Sequence, residues 1–187
     1  RAFMTRSGVT DEHLAKVVVR SRRNASRNPF ANEKAIVWED DVLASPMVCD
    51  PIRRMHCYPV SDGAIAMLIA SEDRWKEFTD RPVWVSGFAN CMDSYFPGDR
   101  DMADNFALKN AAKKAYAKAG VKDPAKEFDV VEVNDCYAYQ LPMWIEGLGL
   151  CGDDGSAAWI DADGMKTDNV NTSGGMLAGN PLMIGGL

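Results

Sequence analysis

Histidine is scarce in this chain: His13 and His56 are the two in 187 residues. That is too few for a His-rich metal centre, and no two cysteines stand in a C-x-x-C pair, so no metal is expected. Cysteine is present only as an odd set of five, Cys49, Cys57, Cys91, Cys136 and Cys151. An odd set without paired spacing fits free thiols in a reducing, cytoplasmic setting rather than a disulfide framework. No run approaches the ~18 consecutive apolar residues of a membrane span. The opening residues, Arg1 to Arg6, lack the apolar stretch of a signal peptide. Positive charge is the minority, with 21 Lys+Arg against 27 Asp+Glu and a net charge of −6. That balance argues against nonspecific nucleic-acid binding, which needs clustered basic side chains.

What is present is ordinary for a globular domain: 47% hydrophobic and 26% charged residues. The length suits one domain, or one and a fraction. The first residue is not Met and the end, Gly179 to Leu187, is Gly-rich, so a piece of a larger protein is expected.

The spacing predicts a helix over 10–28, with Thr10 as N-cap and Asp11 and Glu12 favoured in the first turn. Asn28-Pro29 ends it, because the residue before proline avoids the α region. Residues 29–60 read as irregular, with a short helix at 39–44. Three apolar runs read as buried strands: 64–69 within Ser61–Ser71, then 82–89, then 128–133. A short helix is expected at 72–78. The clearest helix is 106–119, stopped by Gly120. Residues 135–148 read as a helix with a kink or a late start at Pro142. Residues 169–172 suit a fourth strand before Ser173-Gly174-Gly175. This alternation predicts an α/β layer, a mixed sheet covered by helices.

Four segments, in order, resemble the thiolase superfamily. Ser61-Asp62-Gly63-Ala64 matches the N/S-D-G-A-A element that closes that family's N-terminal half. Glu132-Val133-Asn134-Asp135-Cys136-Tyr137-Ala138 is similar to N-E-A-F and to the H-D-C-F of the sterol-carrier-protein thiolase branch. Gly147-Leu148-Gly149-Leu150-Cys151 resembles the segment that follows in that branch. Asn171-Thr172-Ser173-Gly174-Gly175 with Gly179-Asn180-Pro181 resembles N-P-S-G-G…G-H-P. Arg22-Arg23-Asn24-Ala25 and Asn28-Pro29 also resemble that branch. The resemblance covers essentially the whole chain. It implies a thiolase-like layered fold, here incomplete: residues 1–57 as the tail of the loop domain, and 58–187 as the last strand of the N-terminal half plus most of the C-terminal half. The family's two catalytic cysteines would both lie outside this sequence, since none of the five matches either motif.

The implied activity is Claisen chemistry on a 3-oxoacyl-CoA, with coenzyme A as substrate and no permanently bound cofactor. Such chemistry needs a thiolate, donors for the thioester oxyanion, and a base at the α-carbon. Asn134 stands where the family's asparagine positions an oxyanion-hole water; as a plain residue it also suits a helix cap. Asn180 stands where the family has histidine. An amide donates a hydrogen bond but cannot act as a base near neutral pH. An oxyanion role therefore survives, and the thiolate-activating role does not follow. A retro-aldolase on a 3-hydroxyacyl-CoA, with Tyr137 and Tyr139 as candidates, and a noncatalytic CoA-binding paralogue remain open. The resemblance further implies Tyr58, Ser61, Tyr137, Ser173, Gly174 and Gly175 at the substrate or CoA. Tyr58 is equally a packing residue, and the serine–glycine run equally a tight turn. Arg20, Arg22, Arg23 and Arg27 suit either a solvated face or CoA phosphates. Trp144 and Met143 read as core. Dimers or tetramers, a small zinc-ribbon and OB-fold partner, and a place in lipid metabolism such as β-oxidation are implied as well.

Overall fold

The computed structural model describes residues 1–162 and 169–179. Its centre is a helix, α2, Asp11–Ala25, preceded by α1, Ala2–Ser7. Thr10 caps α2 as expected: its hydroxyl accepts from the His13 amide, and its own amide donates to His13 Nδ1. Leu14, Ala15, Val17, Val18 and Ala25 are all buried. They recur at helical spacing, so one face of α2 is the apolar wall against which the rest packs. The helix stops at Ala25, three residues before the expected Asn28, and the Asn28 amide closes the end by donating to the Ala25 carbonyl.

Further helices and one hairpin follow it along the chain. Helix α3, Glu39–Ala44, forms where expected and drives Val42 into the core. A two-stranded antiparallel hairpin follows, β1, Met47–Cys49, and β2, Ile52–Arg53. Helix α4, Phe106–Ala119, ends on Gly120 in the left-handed region (φ 78), as its glycine predicts. A four-residue turn of helix, α5, Pro124–Glu127, leads back toward the core. Three more helices complete the described chain: α6, Gln140–Gly147; α7, Gly155–Asp161; and α8, Gly175–Ala178. One hydrophobic core joins Leu14, Val17 and Val18 to Leu141, Ile145, Val170 and Leu177. The class is α/β, helices with a small sheet, as expected.

The strands depart from expectation. Residues 64–69 and 82–89 form no strand; Ile69 is 80% exposed and Val83 96% exposed. A buried strand needs a neighbour for its backbone and a layer over its side chains; among the described residues no strand pairs with these runs, and helix α4 meets the second run only around Gly87 and Phe88. Residues 72–78 carry only a 3₁₀ turn at Trp75–Glu77. Residues 128–133 and 169–172 do meet, in parallel, through a single bridge between Val131 and Val170. The Val131 amide donates to the Asn169 carbonyl and the Asn171 amide to the Val131 carbonyl, each at 2.7 Å.

The late start of α6 has a clear cause. The backbone of 136–138 is occupied by residues 56–58: Tyr58 N donates to Cys136 O at 2.8 Å, and Ala138 N to His56 O at 2.9 Å. A helix begins only beyond that bridge, which leaves Pro142 in the first turn, where its missing N–H costs nothing. Asn134 is therefore not the cap of this helix. Truncating Leu14, fully buried on the central face of α2, to alanine is expected to cost about 3 kcal/mol, read as a lowered midpoint in chemical denaturation.

Candidate functional site

The end of the 128–133 run and the Asn171–Gly175 loop are held together by two carboxylates. Glu132 Oε1 accepts from the Thr172 hydroxyl and the Ser173 amide, each at 2.9 Å, and Oε2 accepts from the Ser173 hydroxyl at 2.8 Å. Asp135, 1% exposed, accepts from the amides of Met176 and Leu177 at 2.8 and 3.4 Å. Those are orphan donors of the first turn of α8, so Asp135 caps this helix from across the fold. Asn171 holds φ 47, a left-handed conformation that asparagine tolerates. Its Oδ1 accepts from the Val133 amide at 2.7 Å, which turns its amide nitrogen toward the Asp135 carboxylate.

Helix α2 and the turn after it close the other side of the loop. Asn24 Nδ2 donates to the Asn171 carbonyl and Asn28 Nδ2 to the Ser173 carbonyl, both at 3.0 Å, while the Ser21 hydroxyl donates to the Gly174 carbonyl. Ser21, Asn24, Ala25 and Asn28 repeat at the spacing of one helical face. The absence of a side chain at Gly174 is required twice over. Its φ is 96, and a Cβ there would sit 2.6 Å from Ala25 Cβ and 2.9 Å from the Ala25 backbone. A Cβ on Gly175 would collide with the Asp135 carboxylate and Asn171 Nδ2. The segments Ser21–Asn28, Glu132–Asp135 and Asn171–Gly175 are thus one constellation.

Two cavities flank it. One, of about 1000 Å³, is lined by Tyr58, Tyr137, Tyr139, Arg22 and Met55 among others. The Tyr58 and Tyr137 rings meet edge to face at 5.8 Å, and Tyr137 stacks on Tyr139 at 5.9 Å. Arg22 is buried and paired with Glu33. Arg20 is buried too, while Arg23 and Arg27 face solvent, so the arginine run is not a single solvated face. Burial pushes the Tyr137 and Tyr139 phenols above their usual range, with neighbouring acidic groups adding to it. They hold their protons and suit donation rather than abstraction. The second cavity, of about 950 Å³, is lined by Asn134, Cys136, Gln140 and Trp144 among others. Asn134 Oδ1 accepts from the Cys136 thiol at 2.9 Å, and the Asn134 carbonyl accepts from the Trp144 indole at 2.6 Å. Met143 is buried as expected; Trp144 is half-buried and packs against the core.

The structure brings Tyr58 and Tyr137 into one cavity and puts Asn134 in the other. Ser173, Gly174 and Gly175 lie together in the loop. Ser61 follows the first cavity, its hydroxyl buried without a hydrogen-bond partner among the described residues. Asn180 lies outside the described residues. Burial raises the thiols of Cys57, Cys136 and Cys151 above the usual range, which keeps them protonated and poor nucleophiles. Among the described residues no cluster of His, Cys, Asp and Glu could hold a metal ion. Glu132, Asp135, Asn171, Ser21, Asn24 and Asn28 were not singled out as site residues by sequence. Polar residues at 21, 24 and 28 on an apolar helix face were the available signal.

Substituting Gly174 with alanine is expected to destabilise the fold by at least about 2 kcal/mol, through strain and collision together, measured by denaturation. The Asp135 carboxyl gives a second expectation. Burial raises it from 3.8 to about 7, against the lowering effect of the Met176 amide, the Asn171 side chain and the Leu177 amide. Between those values the folded state binds a proton that the unfolded state has lost. Stability is therefore expected to fall as pH rises from about 4 to about 7. Asp135→Asn removes that contribution, so its stability curve is expected to be flatter across the window.

Comparison with known proteins identifies the family. A family model described as thiolase C-terminal domain-like matches residues 90–187. The chain is 37% identical, over 193 residues, to an acetyl-CoA acetyltransferase of Methanothermobacter thermautotrophicus; all of this chain and 50% of the relative are covered. It is 31% identical, over 201 residues, to sterol carrier protein 2 of Gallus gallus, covering all of this chain and 36% of that protein. The chain thus spans half or less of the length of these relatives. The solved structure of an Ltp2-ChsH2(DUF35) aldolase superposes with a TM-score of 0.83 at 21% identity, over 95% of this chain and 48% of that one. At that identity the likeness concerns the fold alone. With its motifs in order, its α/β fold and a family model matched over more than half its length, the chain belongs to the thiolase superfamily, in the thiolase C-terminal domain-like family.

Proposed function

We propose that the full-length protein is a thiolase-like acyltransferase that makes or cleaves a carbon–carbon bond in a 3-oxoacyl-CoA. The observation that carries this reading is the joining of Glu132–Asp135 to Asn171–Gly175, which gathers the two motif segments at one end of the fold. In α/β proteins ligands collect at such strand ends. In the proposed reaction a cysteine thiolate attacks the C3 carbonyl, the C2–C3 bond breaks, and the electron pair passes to C2 as a thioester enolate. A proton then returns to C2, and the acyl group moves from sulfur to coenzyme A. The nucleophile comes from a part of the subunit outside these residues. Asn134 supports an oxyanion through an ordered water, Asn180 donates to it, and Ser173 with the two glycines shapes one wall of the acyl site. Tyr58, Ser61 and Tyr137 line the approach of the pantetheine arm. Residues 1–57 are the tail of the loop domain, and 58–187 belong to the two thiolase halves. A homodimer or tetramer, a small zinc-ribbon and OB-fold partner, and cytoplasmic lipid metabolism complete the proposal.

The stacked tyrosines favour a second reading, retro-aldol cleavage of a 3-hydroxyacyl-CoA. There the hydroxyl proton passes to a base, C2–C3 breaks as the C3 carbonyl forms, and the enolate at C2 takes a proton from a phenol. The raised phenols support the acid step and not the base step.

Thiolysis and retro-aldol assays on the full-length protein separate the two. In the acyl-transfer reading Asn134→Ala lowers kcat by about 100-fold with little change in KM, Tyr137→Phe costs less than about tenfold, and iodoacetamide inactivates by labelling a cysteine other than the five described. Inactivation that tracks labelling of one of those five, or retro-aldol turnover abolished by Tyr137→Phe, overturns it.

A further inference from the structure

The cavity of about 950 Å³ is faced by a carboxamide whose direction its neighbours decide. Asn134 is exposed there, and its Oδ1 accepts from the thiol of Cys136, a residue that is only 6% exposed, at 2.9 Å. That thiol has one hydrogen to give. Its alternative acceptor is the Met176 thioether at 3.9 Å, which is weaker than an amide oxygen. Were the carboxamide turned over, its nitrogen would meet a sulfur that accepts poorly, and the thiol would be left with Met176. The bonded orientation is therefore the better one. It ties up Oδ1 and leaves Asn134 Nδ2 donating to no group among the described residues. We propose that Cys136 is a positioning residue, its thiol holding the Asn134 carboxamide with the nitrogen toward the cavity, as a ready donor to a ligand oxygen.

The surroundings leave this task to the thiol. Trp144 holds Asn134 only through its backbone, the indole donating to the carbonyl at 2.6 Å. Glu132, two residues earlier, has both oxygens committed to Thr172 and Ser173. Cys136 keeps the hydrogen it must donate: burial raises the thiol, and the adjacent Asp135 carboxyl adds to the rise. Gln140, on the same cavity, is turned in the same sense, since its Oε1 accepts from the Tyr137 amide at 3.0 Å. A carboxamide fixed this way stabilises negative charge that develops on a ligand oxygen, whereas its own oxygen in that place would repel it. The consequence for turnover rests on the acyl-transfer reading above. The orientation of Asn134 rests on the contacts alone.

The test is Raman spectroscopy of the full-length protein in the S–H stretching region, with thiolysis assays in parallel. An S–H band moves to lower frequency when the thiol donates a hydrogen bond. Cys136→Ser identifies the Cys136 band by its loss. In Asn134→Ala that band is expected to move to higher frequency, because the oxygen acceptor is gone. A band that stays in place overturns the proposal. In the kinetic arm Cys136→Ala is expected to lower kcat by about five- to tenfold, the worth of one hydrogen bond, with KM little changed. Cys136→Ser restores a donor and is expected to recover most of that loss. Equal kcat in the alanine and serine variants overturns the proposal, since packing alone would not distinguish them in this way. Where Cys136→Ala yields no folded protein, the band shift in Asn134→Ala decides by itself. A shifted band with no acyl turnover in any form supports the positioning role and overturns the acyl-transfer reading instead.

Discussion

The Asn171–Gly175 loop satisfies only part of its own backbone, and the surrounding segments are organised around that constraint. Buried amides and carbonyls must find partners or cost the fold their full desolvation. The Asn171, Ser173 and Gly174 carbonyls accept from Asn24, Asn28 and Ser21, and the Ser173 amide donates to Glu132. The Gly175 amide donates to the Ser173 hydroxyl at 3.1 Å, and the Met176 amide donates to Asp135. Two separate segments, residues 21–28 and 132–135, supply these partners. Such preorganisation suits a reaction with developing charge, since donors are effective only when they need not move.

The same accounting explains why two glycines stand side by side. Gly174 lets α2 approach to the contact distance of Ala25, and Gly175 lets Asp135 and Asn171 close over the backbone. Their first role is toward the protein. A role toward an acyl chain follows from the shape they give the loop rather than from any space they leave open. The tyrosine cavity stands on a different pairing, that of residues 56–58 with 136–138. The acyl-transfer and retro-aldol readings differ chiefly in whether those phenols touch the reacting atoms. Their raised proton affinity makes them donors in either case.

Much of the helical framework was legible beforehand. Thr10, Gly120 and the apolar spacing of Leu14, Val17 and Val18 are local signals, and local signals survive in any context. The runs at 64–69 and 82–89 were read correctly as apolar and incorrectly as buried strands. Strand formation depends on a neighbouring strand, and hydrophobicity reports only the demand for one. The late start of α6 was one of the two outcomes that Pro142 offered, but its cause was not legible, because residues 56–58 claim the backbone of 136–138 first. Within the candidate site, Asn134, Tyr58, Tyr137 and the serine–glycine run were found by their motifs. Glu132, Asp135 and Asn171 were quoted within those motifs and given no role, since a carboxylate's partner forty residues away leaves no mark on its own segment.

The sequence by itself determined the family, through four short segments in a fixed order, and the helices whose caps and periodicity are written locally. It also determined which residues carry unusual chemistry, an amide at 180 where the family has histidine among them. Only the tertiary structure decided what those segments do to one another. Buried hydrogen-bond partners are chosen by proximity in space, and the desolvation that raises Asp135 exists only once α2, α8 and the 171–175 loop have closed around it.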